Sequence, residues 1–224
     1  MPEPDCTAII VAAGSSRRMG FDKLLWKLAD QPVLLRTIHA FDTAPSITSI
    51  IVVCPPDRWE NLTPPAFSKP VSRTDGGDSR QQSVANGLLA APTTPLIAVH
   101  DGARPLVSPE DIENTIAAAR THRAAALARR AVETVKRSDS RNFATESVSR
   151  ENLWFMETPQ VFQQPILLSA CRHVAAANLT VTDEVSALES IGVKTKLVES
   201  RSPNLKITSP ADLALATALL NPTI

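Results

Sequence analysis

The stretch Thr-Ala-Ile-Ile-Val-Ala-Ala-Gly-Ser-Ser-Arg-Arg-Met-Gly-Phe-Asp-Lys, from Thr7 to Lys23, decides how the chain is expected to fold. Its first half is a short apolar run that is rich in β-branched residues and ends at Gly14, which predicts a buried strand. Its second half places two serines and two arginines between Gly14 and Gly20. Because ligands of open parallel sheets gather at the carboxyl ends of the strands, this cationic loop is suited to bind a polyphosphate.

The loop differs from two common phosphate-binding motifs. A Walker A loop needs Gly, four residues and then Gly-Lys, but the glycine after Gly14 is Gly20, one position late. A dinucleotide fingerprint needs glycine where Ser16 stands. Phosphates would therefore be held by the side chains of Arg18 and Lys23 as much as by the backbone. The alternative is a surface loop with ordinary solvated charges.

The composition restricts the class of protein. A chain of 224 residues suits a single α/β domain spanning 1–224. Lys and Arg together number 23, as do Asp and Glu, so no global field attracts nucleic acid or an anionic membrane. The first five residues, Met-Pro-Glu-Pro-Asp, are acidic and lack a basic region followed by an apolar core, and no apolar run reaches the roughly 18 residues of a membrane span. We therefore expect a cytoplasmic protein whose three cysteines, far apart in sequence, are free thiols.

Strand and helix patterns alternate along the first half of the chain. A helical pattern over 32–43 leads into a β-branched strand over 49–54, and a further buried strand covers 96–99. This rhythm predicts a Rossmann-like α/β fold with a mostly parallel central sheet flanked by helices.

Asp101 directly follows the strand pattern over 96–99. A carboxylate at the carboxyl end of a parallel strand is well placed to hold a metal ion. Its neighbour His100 is interpreted as a structural hydrogen-bonding residue rather than a catalytic one.

The second half of the chain is less regular. Residues 129–149 are polar and interrupted, which predicts two ribbon strands with little core of their own. Such an arm, at about 130–152, would lie against something else, and a second subunit is the natural choice. Near the end of the chain, the pattern over 204–208 predicts another short strand, followed by a helix that begins after a Ser-Pro cap and runs to Leu220.

Taken together, these stretches resemble the 2-C-methyl-D-erythritol 4-phosphate cytidylyltransferase family of nucleotidyltransferases. The resemblance covers nearly the whole chain in the right order, and its motifs are Ala12-Ala13-Gly14 with Arg17-Arg18-Met19, Gly76-Gly77-Asp78, His100-Asp101 with Arg104-Pro105, Thr134, Arg150, Leu153-Trp154, Thr158-Pro159-Gln160, Thr182-Asp183-Glu184, and Asn204-x-Lys206-x-Thr208.

The resemblance implies a sheet of the nucleotide-diphospho-sugar transferase type with a protruding β-arm. It implies transfer of CMP from CTP to a polyol phosphate, with Arg18, Lys23 and Lys206 neutralising the reacting phosphates and Asp101 helping to hold Mg²⁺ or another divalent cation. The positions that it implies for nucleotide binding are Ala12, Ala13, Gly14, Gly77, Asp78 and Ser83.

The resemblance also implies a homodimer. Thr134 and Arg150 on the arm would contact methylerythritol phosphate in the neighbouring subunit's site, and Thr158 would bind the same substrate. For Thr158 the alternative is a residue that merely shapes the turn before Pro159. For Arg150 and Lys206 it is a salt-bridged surface charge.

The chain departs from the family pattern near Lys23. The first loop is shorter than usual, and Asp22 and Leu24 stand where the family usually has proline and glutamine. Two other functions stay open: a ribitol 5-phosphate cytidylyltransferase, which differs mainly in the polyol pocket, and a non-catalytic nucleotide-binding sensor.

Overall fold

The computed structural model describes residues 5–15, 19–63 and 66–220. The strands are β1 (Cys6–Val11), β2 (Lys27–Leu28), β3 (Gln31–Pro32), β4 (Ile47–Val53), β5 (Val71–Thr74), β6 (Leu96–Asp101), β7 (Ala124–Arg130), β8 (Val135–Ser138), β9 (Ala144–Val148), β10 (Trp154–Gln163) and β11 (Lys196–Glu199). The helices are α1 (Val33–Thr43), α2 (Pro56–Leu62), α3 (Arg80–Ala90), α4 (Pro109–His122), α5 (Gln164–Ala176), α6 (Glu184–Glu189) and α7 (Pro210–Leu220).

Seven of the described strands form one sheet in the order β11-β7-β10-β6-β1-β4-β5. β1 pairs in parallel with both β4 and β6, while β10 runs antiparallel to its two neighbours. The prediction of a mostly parallel sheet is therefore confirmed. The apolar run of β1 lies at the centre, where a parallel strand is covered on both faces and alternation of polar and apolar residues is not needed.

Helices cover both faces of the sheet. One core, which includes Ile10, Ile38 and Ile112, lies under α1 and α4, and the other, which includes Ile9 and Leu167, lies under α3 and α5. No helix in the described part of the chain has the length and apolarity to cross a bilayer.

The register of the sheet brings three strand ends to one edge. Val11 at the end of β1 is paired with Val53 of β4 on one side and with Asp101 of β6 on the other. The loops that follow these strands therefore leave the sheet side by side, as expected for parallel strands.

The segment predicted as an arm forms a separate two-stranded sheet of β8 and β9. Its side chains are mostly exposed, and Phe143 is 65% accessible to solvent. A lone hairpin of this kind gains little from a core of its own.

The prediction of a short strand over 204–208 is wrong, because the structure has no strand there. Ile207 donates one backbone hydrogen bond to the Ala103 carbonyl (2.8 Å), but the Asn204 carbonyl accepts instead from the Arg104 side chain (2.7 Å). The Asn204 amide in turn donates to the Thr158 carbonyl (2.7 Å). These side-chain bonds hold the segment as an irregular loop beside the end of β6.

Candidate active site

A cavity with a volume of ≈ 720 Å³ lies at the carboxyl edge of the sheet. The predicted nucleotide-binding positions all line it, together with Lys23, Asp101 and Lys206. Residues far apart in sequence are thus brought to one place. Arg18 lies outside the described residues.

The loop after β1 presents backbone donors to this cavity. The Ala12 N–H completes the ladder by donating to the Val53 carbonyl (2.8 Å). Among the described residues, the N–H groups of Ala13, Gly14 and Ser15 have no protein acceptor, and all three residues line the cavity. Successive unpaired N–H groups form a concave site that favours anions.

Lys23 adds a cation to the same cavity. Its Nζ donates to the Ile207 carbonyl (2.7 Å), which joins the first loop to the segment that carries Lys206. The two lysines therefore approach the cavity from opposite ends of the chain.

The loop after β5 forms a second wall. A Cβ on Gly76 would lie 2.3 Å from the Ala13 Cβ, so only glycine allows the two loops to pack this closely. The Ser83 hydroxyl accepts from the Gly77 N–H (3.1 Å) and donates to the Ser79 carbonyl (2.9 Å). Ser83 thereby fixes the backbone at Gly77.

Three cations surround the carboxylate of Asp101. Lys206 Nζ lies 2.8 Å from Oδ2, Arg80 Nε 3.3 Å from Oδ1 and Arg104 Nε 3.6 Å from Oδ2. Burial alone would raise the pKa of Asp101, but the charges of Arg80 and Lys206 outweigh it and hold the pKa well below its ordinary value. The carboxylate is therefore ionised at neutral pH.

Asp101 can supply one ligand to a divalent cation. Across the described residues, no group of three or more His, Cys, Asp or Glu side chains could hold a metal. Mg²⁺ commonly binds through one or two carboxylates, several waters and substrate phosphates. The site fits a magnesium ion that is held jointly with a phosphate ligand, rather than one held by the protein alone.

A smaller cavity of ≈ 320 Å³ adjoins the first one. Arg80, Asp101 and Lys206 line both cavities, whereas Arg104, Thr158 and other polar residues line only the smaller. Two anionic ligands, one in each cavity, would both lie beside these three residues.

Hydrogen bonds to Thr158, which in turn bonds to His100, hold the backbone at Asp101 in place. The Thr158 hydroxyl accepts from the Asp101 N–H (3.1 Å) and pairs with His100 Nδ1 (2.9 Å). Nε2 of His100 faces the Arg104 carbonyl (3.3 Å), which can only accept, so Nε2 carries the proton and Nδ1 accepts from Thr158. Burial lowers the pKa of His100 to about 3, and the ring is neutral.

The sequence patterns indicate no role for two arginines of the site, Arg80 and Arg104. Arg80 makes a bidentate bond to Glu184 (2.7 and 2.9 Å), whose side chain is buried. Arg104 belongs to the motif that contains Asp101. The signal for Arg80 was its place directly after the glycine-rich loop, where the start of a helix meets the cavity.

The arm residues Thr134 and Arg150 line neither of these two cavities. Both are exposed, and Arg150 Nη1 donates to the Val132 carbonyl (2.5 Å). Their predicted contact with substrate stays a prediction.

Comparison with known proteins agrees with this geometry. The family profile of 2-C-methyl-D-erythritol 4-phosphate cytidylyltransferase matches residues 6–222. Enzymes of that name from Desulforamulus reducens and Caldanaerobacter subterraneus are each 39% identical to this chain over 222 residues, covering 95% and 96% of it and 94% and 98% of the relatives. The crystal structure of the cytidylyltransferase from Francisella tularensis superposes with a TM-score of 0.83 at 32% identity, covering 96% of this chain and 99% of the other. The chain therefore belongs to the 2-C-methyl-D-erythritol 4-phosphate cytidylyltransferase family.

Proposed function

We propose that the protein transfers CMP from CTP to 2-C-methyl-D-erythritol 4-phosphate. The products are pyrophosphate and 4-diphosphocytidyl-2-C-methyl-D-erythritol, a precursor in the non-mevalonate synthesis of isoprenoids. Family membership supports this activity. The structural observation that carries it is the pair of adjoining cavities that share Arg80, Asp101 and Lys206.

In this proposal the larger cavity holds CTP. The backbone at Ala12, Ala13 and Gly14 lies along the nucleotide, and Lys23 and Arg18 neutralise the triphosphate. The loop at Gly77 and Asp78 reads the cytosine edge, because a pyrimidine offers both a donor and an acceptor there. Ser83 contributes by holding the Gly77 N–H.

The smaller cavity holds the polyol phosphate. An oxygen of its phosphate attacks the α-phosphorus of CTP, and the bond from that phosphorus to the pyrophosphate oxygen breaks with both electrons. A phosphate nucleophile is already ionised at neutral pH, so the reaction needs no general base. Positioning and charge neutralisation by Lys23, Lys206 and Arg18 supply the catalysis. Thr158 holds Asp101 and lies against the polyol.

Asp101 would hold Mg²⁺, or another divalent cation, together with the triphosphate. A metal ion at that position would stabilise the negative charge that develops on the phosphate oxygens during the reaction.

The proposed enzyme is a homodimer in the cytoplasm. The arm at about 130–152 reaches the neighbouring subunit, where Thr134 and Arg150 contact the polyol phosphate. The exposure of the hairpin and the absence of both residues from this subunit's two cavities support this arrangement.

The test is pyrophosphate release from CTP with each polyol phosphate in turn, in the presence of Mg²⁺. We expect release with 2-C-methyl-D-erythritol 4-phosphate and none with ribitol 5-phosphate. Release with ribitol 5-phosphate alone would assign the other cytidylyltransferase activity, and CTP binding without release would indicate a sensor.

A further inference from the structure

Arg58 is a buried arginine on the short helix α2, with 5% of its surface accessible. It follows β4 and lies next to the loop after β1, but it does not line either cavity. A buried guanidinium needs several hydrogen-bond acceptors to offset its desolvation, so its partners show what it holds in place.

The guanidinium bonds to both ends of the first loop. Nη1 donates to the Ala12 carbonyl, Nη2 donates to the Gly14 carbonyl (3.1 Å) and Nε donates to Asp22 Oδ2 (2.6 Å). One side chain thus joins the residue that leaves β1 to the residue that precedes Lys23.

These bonds determine the direction of the backbone donors. In a planar trans peptide, the C=O of one residue and the N–H of the next point in opposite directions. Because Arg58 holds the carbonyls of Ala12 and Gly14, the N–H groups of Ala13 and Ser15 point away from it. Both residues line the larger cavity.

Asp22 connects the same arginine to Lys23. While Oδ2 accepts from Arg58, Oδ1 accepts from the Leu24 N–H (3.0 Å). The carboxylate therefore closes the turn that contains Lys23, and it does so at the position where the chain departs from the family pattern.

We propose that the Arg58–Asp22 pair is a positioning device for the triphosphate of the nucleotide. It aims the N–H groups of Ala13 and Ser15 and the side chain of Lys23 at the phosphates without touching the ligand. The inference rests on the proposed function, because it assumes that CTP occupies the larger cavity.

Replacing an arginine that only stabilises the fold should leave ligand binding unchanged, whereas replacing one that positions the phosphate-binding groups should weaken it. The structure contains a matched pair at the other end of β1, where Arg120 bonds to Asp5 (2.6 and 3.0 Å) and to Ser46 Oγ (3.0 Å). Arg120 also ties chain segments together through a carboxylate, but it lies at the opposite edge of the sheet from the cavity.

The experiment measures equilibrium binding of CTP, inorganic tripolyphosphate and cytidine by calorimetry, with Mg²⁺ present. For Arg58→Lys we expect CTP and tripolyphosphate to bind about tenfold more weakly, and cytidine to change by less than about twofold. Arg120→Lys should lower the melting temperature and leave the binding of all three probes unchanged.

Asp22→Asn provides an independent test if Arg58→Lys does not fold. It keeps an acceptor for the Leu24 N–H but removes the charge facing Arg58, and we expect the same selective weakening at about threefold. Equal losses for cytidine and tripolyphosphate, or no loss for either, would overturn the inference. A wild-type protein that does not bind CTP would overturn the proposed function itself, which separates the two failures.

Discussion

The replacement Asp101→Asn tests the convergence of charges at the centre of the site. It removes the carboxylate that Lys206, Arg80 and Arg104 share, and it preserves the size of the side chain, while Arg80 keeps its bidentate bond to Glu184. Three cations would then lie close together around a neutral amide.

The expected loss of stability follows from the geometry. Each pair at 2.8 to 3.6 Å has a Coulomb energy of about 5 kcal/mol at an effective dielectric constant of about 20. Desolvation offsets much of this, and breaking a buried pair costs about 3–5 kcal/mol net. Lys206 is 41% exposed and therefore screened, so we take the lower end, about 3 kcal/mol. For a chain of this length, this corresponds to a fall in melting temperature of about 6–12 °C.

The measurement is thermal unfolding followed by circular dichroism at neutral pH, with pyrophosphate release assayed in parallel. Glu199→Gln is the matched control, because its pair with Arg130 spans 3.3 Å and both side chains are more than half exposed. The control should lose about 1 kcal/mol or less. If Asp101→Asn melts within about 2 °C of the control, the three cations do not converge on Asp101 and the reasoning is refuted.

Three further predictions concern Lys23, His100 and Arg150. Lys23→Ala should lower kcat by about 10²–10³-fold with little change in the unfolding temperature, and near-normal turnover would remove Lys23 from the mechanism. The pKa of His100 falls from 6.5 to about 3 on folding, because burial keeps the ring neutral; the unfolded chain therefore binds more protons, and stability is lost as pH falls through this window. Measured by urea unfolding, the free energy of unfolding of His100→Asn should fall less steeply with decreasing pH over this range than that of the wild type. Identical slopes for the two proteins would contradict a neutral, buried His100. Finally, the proposed homodimer predicts that a mixture of the Lys23→Ala and Arg150→Ala variants regains activity that neither variant has alone; no recovery in the mixture would contradict the proposed action of Arg150 on a second subunit.

The sequence predicted those parts of the fold that depend on local patterns. β1, β4 and β6 are apolar runs with β-branched residues, and their order along the chain was sufficient to place Ala12 and Asp101 at one edge of the sheet. The arm was predicted from its lack of apolar residues. Such patterns can be recognised from a segment's own residues, because the spacing of its apolar side chains reflects which of them are buried.

The remaining features depend on contacts between distant segments. Arg80 and Glu184 are 104 positions apart, and Arg58 and Asp22 are 36 apart, so no local period indicates either pair. The segment over 204–208 contains Ile207 and Thr208, which favour a strand, but the Arg104 side chain bonds to its backbone and prevents a ladder there. Tertiary contacts determined the outcome at these positions.

The bond from Lys23 to the Ile207 carbonyl spans 184 positions and has a consequence for the growing polypeptide. A nascent chain that has emerged through α6 already contains the loop after β1, but it still lacks Lys206. Lys206 is therefore absent from the cationic surroundings of the phosphates until the segment that contains it has been made. Protection of ribosome-bound chains from protease by CTP should accordingly arise only once the segment beyond residue 207 is outside the ribosome.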